Sequence, residues 1–264
     1  MILQNNIQIP DYDFHNKVAI ITGAGSGIGF AAATQLAYYG AKVVIAGIPE
    51  ADCQDAAEKI LAAGGTCQVI VTDVTDETAV DQLIRETVRI YGKLDIIINC
   101  AGIGGKVQPL LEQTKADLEQ VLSVNLVGVY LCATAAARQM IRQGIGGRII
   151  NTSSIAYIEG GGFHGPYGAA KGGVCTLTKT MASEWASHGI TVNAVCPGLT
   201  RTNINAEVQN DPALYRQLTE KIPLRRMAEP GEIAALMTFL ASDAASFITG
   251  SILIADGGAT VGGQ

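Results

Sequence analysis

Long apolar runs, paired cysteines, histidine clusters and basic stretches are all missing from this chain of 264 residues. No apolar run reaches the ~18 residues that a membrane span needs. Met1 to Asp13 has neither a basic start nor an apolar stretch of the kind that marks secretion, so a cytoplasmic protein with no membrane partner is expected. The six cysteines (Cys53, Cys67, Cys100, Cys132, Cys175, Cys196) are scattered, with no Cys-x-x-Cys and no histidine cluster nearby. That spacing suggests neither a metal site nor a redox pair, and they read as small buried thiols. The formal net charge is −6 and no basic run is longer than Arg225-Arg226, which argues against nucleic acid and for a small neutral substrate. Internal repeats and low-complexity linkers are absent as well.

What is present is a core-forming composition, 48% hydrophobic and 16% charged with 31 glycines, long enough for one large α/β unit. From Lys17 onward, short β-branched runs alternate with stretches of helical spacing. The runs are Val18 to Ile21, Lys42 to Ile45, Thr66 to Val71, Leu94 to Ile98, Arg148 to Asn151, Thr191 to Val195 and Ser251 to Ile254. They lack polar alternation, as strands covered on both faces do. Strand and helix in strict turn predict a doubly wound α/β fold, because parallel neighbours need crossover connections. Seven strands in the order 3-2-1-4-5-6-7 extend the Rossmann arrangement naturally. Gly40, Gly64-Gly65 and Gly92 stop the first three helices. Residues 1–15 fit as an N-terminal extension and residues 16–264 as the catalytic domain. Residues 199–222, just past a strand's carboxyl end, read either as a mobile substrate lid or as a structural excursion.

Two local patterns carry chemistry. Thr22-Gly23-Ala24-Gly25-Ser26-Gly27-Ile28-Gly29 follows the first strand and opens a helix, so its backbone can approach a phosphate that the helix N-terminus also attracts. The spacing departs from the strict Gly-x-Gly-x-x-Gly fingerprint, which leaves both a dinucleotide and another nucleotide cofactor such as S-adenosylmethionine open. Tyr167 and Lys171, four apart on a predicted helix, share one face. An ammonium beside a phenol favours the phenolate, which makes the pair a candidate proton-transfer device.

Taken in order, these motifs resemble the short-chain dehydrogenase/reductase family, in its single-domain subclass, from Lys17 to about Gly258. The family's Thr-Gly-x-x-x-Gly-x-Gly turn matches Thr22, Gly23, Gly27 and Gly29, and its Asn-Asn-Ala-Gly matches Asn99-Cys100-Ala101-Gly102, with cysteine in second place. Its helix asparagine matches Asn125. Its serine matches Ser154, which the thirteen-residue offset from the tyrosine selects over Ser153, and its Tyr-x-x-x-Lys matches Tyr167 and Lys171. The resemblance implies an oxidoreductase in which Tyr167 handles the proton and Ser154 aligns the substrate oxygen. Asn125 holds a water, and Lys171 grips the nicotinamide ribose. It places the coenzyme against Gly23, Ser26, Gly27, Ile28, Gly29, Gly47, Asp73, Val74, Asn99, Ala101, Gly102, Pro197, Gly198 and Thr200. Ile103, Glu159, His164 and Leu199 are the candidate substrate-lining residues.

The second strand ends at Gly47, where the family usually has the aspartate that marks NAD. Neither Ser26 nor Gly47-Ile48 supplies the cation a 2′-phosphate needs, so NAD is favoured, with Glu50 or backbone meeting the ribose and NADP left open. The expected reaction interconverts a secondary alcohol and a ketone of the polyol, sugar or cyclic alcohol class. The alternatives are an NADPH-dependent 3-oxoacyl thioester reductase and, from another class, a catalytically inactive dinucleotide-binding sensor. A homotetramer is what the resemblance implies.

Overall fold

A computed structural model describes residues 12–160 and 162–261. Among them, seven parallel strands form one sheet in the order β3-β2-β1-β4-β5-β6-β7. The first half of the chain runs β1 (Val18–Thr22), α1 (Gly27–Tyr38), β2 (Lys42–Gly47), α2 (Glu50–Ala62), β3 (Thr66–Val71), α3 (Glu77–Tyr91) and β4 (Ile96–Asn99). The second half starts with α4 (Lys115–Leu122), a π-helical turn (Ser123–Val127), α5 (Gly128–Gln143) and β5 (Gly147–Thr152). There follow α6 (Ala156–Glu159), α7 (Gly165–Trp185), β6 (Ile190–Pro197), α8 (Ala206–Asn210), α9 (Pro212–Thr219), α10 (Pro230–Ala241) and β7 (Ile252–Ala255).

Side chains alternate across a strand, so each apolar run feeds two cores. Ala19, Ile21, Ile96 and Ile98 join one cluster with Leu36 of α1, Ile60 of α2 and Met237 of α10. The intervening Ile20 and Ile97 join the other, with Leu83 of α3 and Met140 of α5. The edges depart from the expected two-sided cover. β3 exposes Thr66, Gln68 and Val71, and β7 is only partly buried, because an edge strand has a neighbour on one side alone.

Lys115–Gln143 is one continuous helical stretch, long and apolar enough by composition to cross a membrane, which a count of unbroken apolar residues did not register; half of its most apolar window is buried within the protein. Cys132, Ala133, Ala136 and Met140 from this stretch belong to the second core cluster.

Residues 1–11 of the expected extension lie outside the described residues. Phe14 is buried, and its N–H donates to the Tyr39 carbonyl at 3.0 Å, which fastens the chain to the end of α1. Residues 199–222 hold α8 and α9. The segment leaves the sheet through a bridge between Thr200 and Ala228, and the Thr202 methyl lies 3.2 Å from where a Cβ on Gly27 would be. It therefore passes close over the glycine turn.

Candidate active site

The strand order reverses between β1 and β4, and ligands of open α/β sheets bind in the crevice such a reversal leaves at the carboxyl ends. The register aligns Thr22 with Asn99 and Asn99 with Asn151, one row of polar side chains closing three apolar strands. Thr22 Oγ1 accepts from the N–H groups of Cys100 (3.1 Å) and Ala101 (3.2 Å). Asn99 Nδ2 donates to Asn151 Oδ1 at 2.8 Å, and Asn151 Nδ2 donates to Thr178 Oγ1 of α7 at 3.0 Å. All three of these side chains are buried, so the chain of bonds fixes α7 to the strand ends.

The glycine turn fits a phosphate-bearing coenzyme. A Cβ on Gly23, whose φ is +66°, would stand 2.7 Å from the Ala101 Cα, so only glycine lets the two strand-end loops approach this closely. Ser26 caps α1 in an extended conformation without a side-chain hydrogen bond, and the first turn holds no acidic residue. The N–H groups and positive dipole end of α1 are thus left for an anion. Asn99 adds beside this cradle a buried Oδ1 with no partner among the described residues. Gly47 ends β2 next to Cys53, and the first turn of α2 carries Glu50 and Asp52. The Asp52 Cβ lies 3.0 Å from a Cβ built on Gly25, which brings α2 against the turn. Asp73 is exposed, with its carboxylate accepting from the Thr75 N–H and hydroxyl, while Val74 is buried against Gly128. Gly198 backs onto Asp256, where a Cβ would stand 2.7 Å from the Asp256 Cα, and Thr200 Oγ1 donates to the Gly198 carbonyl at 2.9 Å.

The catalytic candidates gather on α7, the π-helical turn and the end of β5. Asn125 is fully buried in the π turn. Its Nδ2 donates to the Ile103 carbonyl at 2.7 Å and its Oδ1 accepts the Ile103 N–H at 3.0 Å. Inserting one residue into a helix in this way re-aims its side chain, and such turns recur at functional sites. A Cβ on Gly102 would stand 2.7 Å from Asn125 Oδ1 and 3.7 Å from Lys171 Nζ, so the strand-β4 loop, the π turn and α7 meet there.

Lys171 is buried. Its ammonium donates to the Thr152 carbonyl at 2.8 Å and lies 5.5 Å from the centre of the Tyr167 ring. Loss of solvation brings its pKa down to about 8. The Tyr167 phenol moves the other way, pushed above its ordinary range by burial, with the Ser154 hydroxyl nearby opposing part of the rise. The ammonium thus sits over the ring face with one of its hydrogens given to a backbone acceptor. Ser154 Oγ accepts from the Ala156 N–H at 3.2 Å, and the adjacent Ser153 is turned into the core, where its hydroxyl donates to the Lys171 carbonyl. That orientation separates the two serines.

Of the substrate-lining candidates, Ile103 is held by Asn125 and Leu199 starts the segment after β6, its carbonyl accepting from Ala228. His164 caps α7 and Glu159 ends α6 exposed. Neither side chain forms a hydrogen bond with Ser154 or Tyr167 among the described residues. Sequence reasoning missed Asn151, Thr178 and the Thr152 carbonyl. The polar Asn151 after Ile149-Ile150 was the available signal, and a backbone acceptor leaves none.

A family model described as enoyl-(acyl carrier protein) reductase matches residues 23–260. The chain belongs to the short-chain dehydrogenase/reductase family. It is 41% identical over 247 residues to the cis-4-hydroxycyclohexanecarboxylate dehydrogenase of Sinomonas cyclohexanicum, covering 94% of this chain and 98% of that one. It is 40% identical to a 3-oxoacyl-[acyl-carrier-protein] reductase of Synechocystis, covering 92% and 96%. Among solved structures, a putative 2-deoxy-D-gluconate 3-dehydrogenase of Agrobacterium tumefaciens with bound NADP is 33% identical, with TM-score 0.88 over 96% of this chain and 99% of that one. As a member of this family, the chain is an NAD(P)-dependent oxidoreductase acting on CH–OH groups.

Proposed function

We propose that this protein interconverts a secondary alcohol and its ketone, of the polyol, sugar or cyclic alcohol class, using Asn125, Ser154, Tyr167 and Lys171. The observation that supports this most is the buried Lys171 ammonium over the Tyr167 ring, beside Asn125 and the Ala101-Gly102 loop that packs on Gly23 of the glycine turn. A bound nicotinamide coenzyme supplies or accepts the hydride. Gly23, Ser26, Gly27, Ile28 and Gly29 would hold its pyrophosphate, with Asp73, Val74, Asn99, Ala101 and Gly102 along the cleft and Pro197, Gly198 and Thr200 at its far side.

Ser154 hydrogen-bonds the substrate oxygen and aligns it, where preorganised donors contribute most. Tyr167 gives that oxygen a proton in reduction and takes it in oxidation. Burial opposes ionisation of this phenol, so positive charge close by is needed to favour the phenolate, and the Lys171 ammonium and an oxidised nicotinamide ring would supply it together. Lys171 also holds the ribose hydroxyls. Asn125, through its grip on Ile103, positions the loop after β4 and offers its remaining hydrogen to a water on the proton's way to solvent.

NAD is the preferred coenzyme in this reading. Glu50 and Asp52 already place negative charge at the start of α2, and no arginine or lysine lies in residues 22–30 or 47–53 to meet a 2′-phosphate. Residues 199–222 act as the substrate lid of a single catalytic domain, 16–264. The family resemblance supports a cytoplasmic homotetramer. The test is the dissociation constant of NADH against NADPH, followed by coenzyme fluorescence, with turnover of an alcohol and ketone panel. NADH binding at least ~10-fold tighter is expected, and tighter NADPH binding refutes the coenzyme assignment. The similarity to a 3-oxoacyl carrier-protein reductase keeps a thioester reductase as the second reading, which NADPH preference and turnover of a 3-oxoacyl thioester would favour.

A further inference from the structure

The geometry points to a hydroxyl-poor, uncharged, largely apolar secondary alcohol or ketone as the substrate, held by an apolar collar around the site; this rests on the oxidoreductase reading above. Three segments build the collar. Ile103 is pinned by Asn125, and Ile204, from the segment after β6, packs on Gly104, with its methyl 3.5 Å from where a Cβ would stand. Leu110 lies against Gly165, two residues before Tyr167, at 2.9 Å by the same measure. The Phe163 carbonyl accepts from the Gln108 N–H at 3.2 Å and from Gln113 Nε2 at 3.3 Å, which ties the approach to α7 to the same loop.

Leu110 is 69% exposed, Phe163 59% and Ile204 58%, a concentration of large apolar side chains in water on or against the 103–113 loop. Phe163 is displayed from a left-handed backbone (φ +69°), a conformation that non-glycine residues adopt only under constraint.

Three side-chain amide nitrogens of the collar are spent on backbone carbonyls. Gln108 Nε2 donates to the Glu112 carbonyl, Gln113 Nε2 to the carbonyls of Gln108 and Phe163, and Asn205 Nδ2 to the Thr200 carbonyl. A sugar or polyol needs several such groups aimed at it. The lysine and arginine side chains of segments 103–113, 158–165 and 199–205 are Lys106 and Arg201, with His164 the one histidine. Lys106 is paired with Asp117 at 2.7 Å and Arg201 with Glu229 at 2.9 Å, while the exposed Glu159 carboxylate would repel an anion. Among the described residues, a carboxylate or a phosphate-bearing carrier arm therefore finds no lysine or arginine of the collar without an ion-pair partner.

The test is a ladder of cyclohexanones carrying hydrogen, methyl, ethyl or propyl at C4, assayed with NADH and with NADPH beside a polyhydroxylated cyclohexanone and the 4-carboxy compound. Each added methylene is expected to raise kcat/KM about fourfold until the collar is filled, with the polyhydroxylated and carboxylated rings at least ~10-fold below the ethyl compound. Phe163→Ser and Ile204→Ser flatten the ladder by raising KM for its upper rungs, and Phe163→Leu keeps it. A flat ladder, or faster turnover of the hydroxylated or charged ring, overturns the inference and leaves the oxidoreductase reading standing. Failure of every alcohol and ketone to react while NADH still binds overturns both.

Discussion

Replacing Asn125 by alanine separates the two jobs its place in the π turn allows, holding Ile103 and holding water. The side chain is fully buried and makes two hydrogen bonds to one residue, 2.7 Å to the Ile103 carbonyl and 3.0 Å from its N–H. Asn125→Ala leaves one buried donor and one buried acceptor unpaired, at about 1–3 kcal/mol each. Water entering beside Lys171 recovers part of this, so a loss of about 2–4 kcal/mol is expected. For a domain of this size that lowers Tm by about 5–15 °C in a fluorescence or circular dichroism melt. The freed Ile103 wall also misplaces the substrate, and kcat/KM falls about 10- to 100-fold. The coenzyme dissociation constant, set mainly by the glycine turn, weakens less than kcat/KM falls. A variant that melts within ~1 °C of the parent and keeps kcat/KM within twofold would refute the pinning of Ile103.

Three further outcomes follow from the site. Tyr167→Phe removes the proton donor and should lower kcat at least ~100-fold with coenzyme affinity retained; parent-like turnover favours the inactive-sensor reading. For Lys171, a pKa near 8 in the folded chain against an ordinary 10.5 gives activity and stability opposite pH dependences. The ammonium is lost as pH rises through about 8, so kcat/KM for ketone reduction declines above it. Between about 8 and 10.5 the unfolded chain binds more protons than the native one, so denaturant-measured stability rises with pH by up to about 3 kcal/mol, a rise that Lys171→Met abolishes. Gly23→Ala forces a Cβ to within 2.7 Å of the Ala101 Cα at a positive φ; an NADH dissociation constant weakened less than ~3-fold would contradict the close-packed turn.

What could be read from residue order was whatever a single element encodes. The β-branched runs marked each strand, and Gly92, which takes the left-handed conformation at the end of α3, marked a helix stop because few other residues adopt it cheaply. The Tyr167 to Lys171 spacing was legible because α7 runs unbroken across it. The exposed face of β3 was harder to read, since its position at the sheet edge depends on where the other strands settle. The π turn was beyond reach for a related reason: a helix with one inserted residue has the same composition as one without.

The limits of the sequence reading matter most at the proton-transfer pair. Four-residue spacing put an ammonium beside a phenol and suggested that the one ionises the other. The folded chain places Nζ over the ring and gives it the Thr152 carbonyl, while burial pushes the phenol's pKa up. A site built this way favours the phenol, the form needed to deliver a proton to a ketone oxygen. Oxidation must first create a phenolate against burial. The pH dependences of the two directions should therefore diverge, with alcohol oxidation rising with pH over a range in which ketone reduction is flat or falling. Parallel profiles in both directions would mean that Tyr167 is not the group whose protonation the reaction reads.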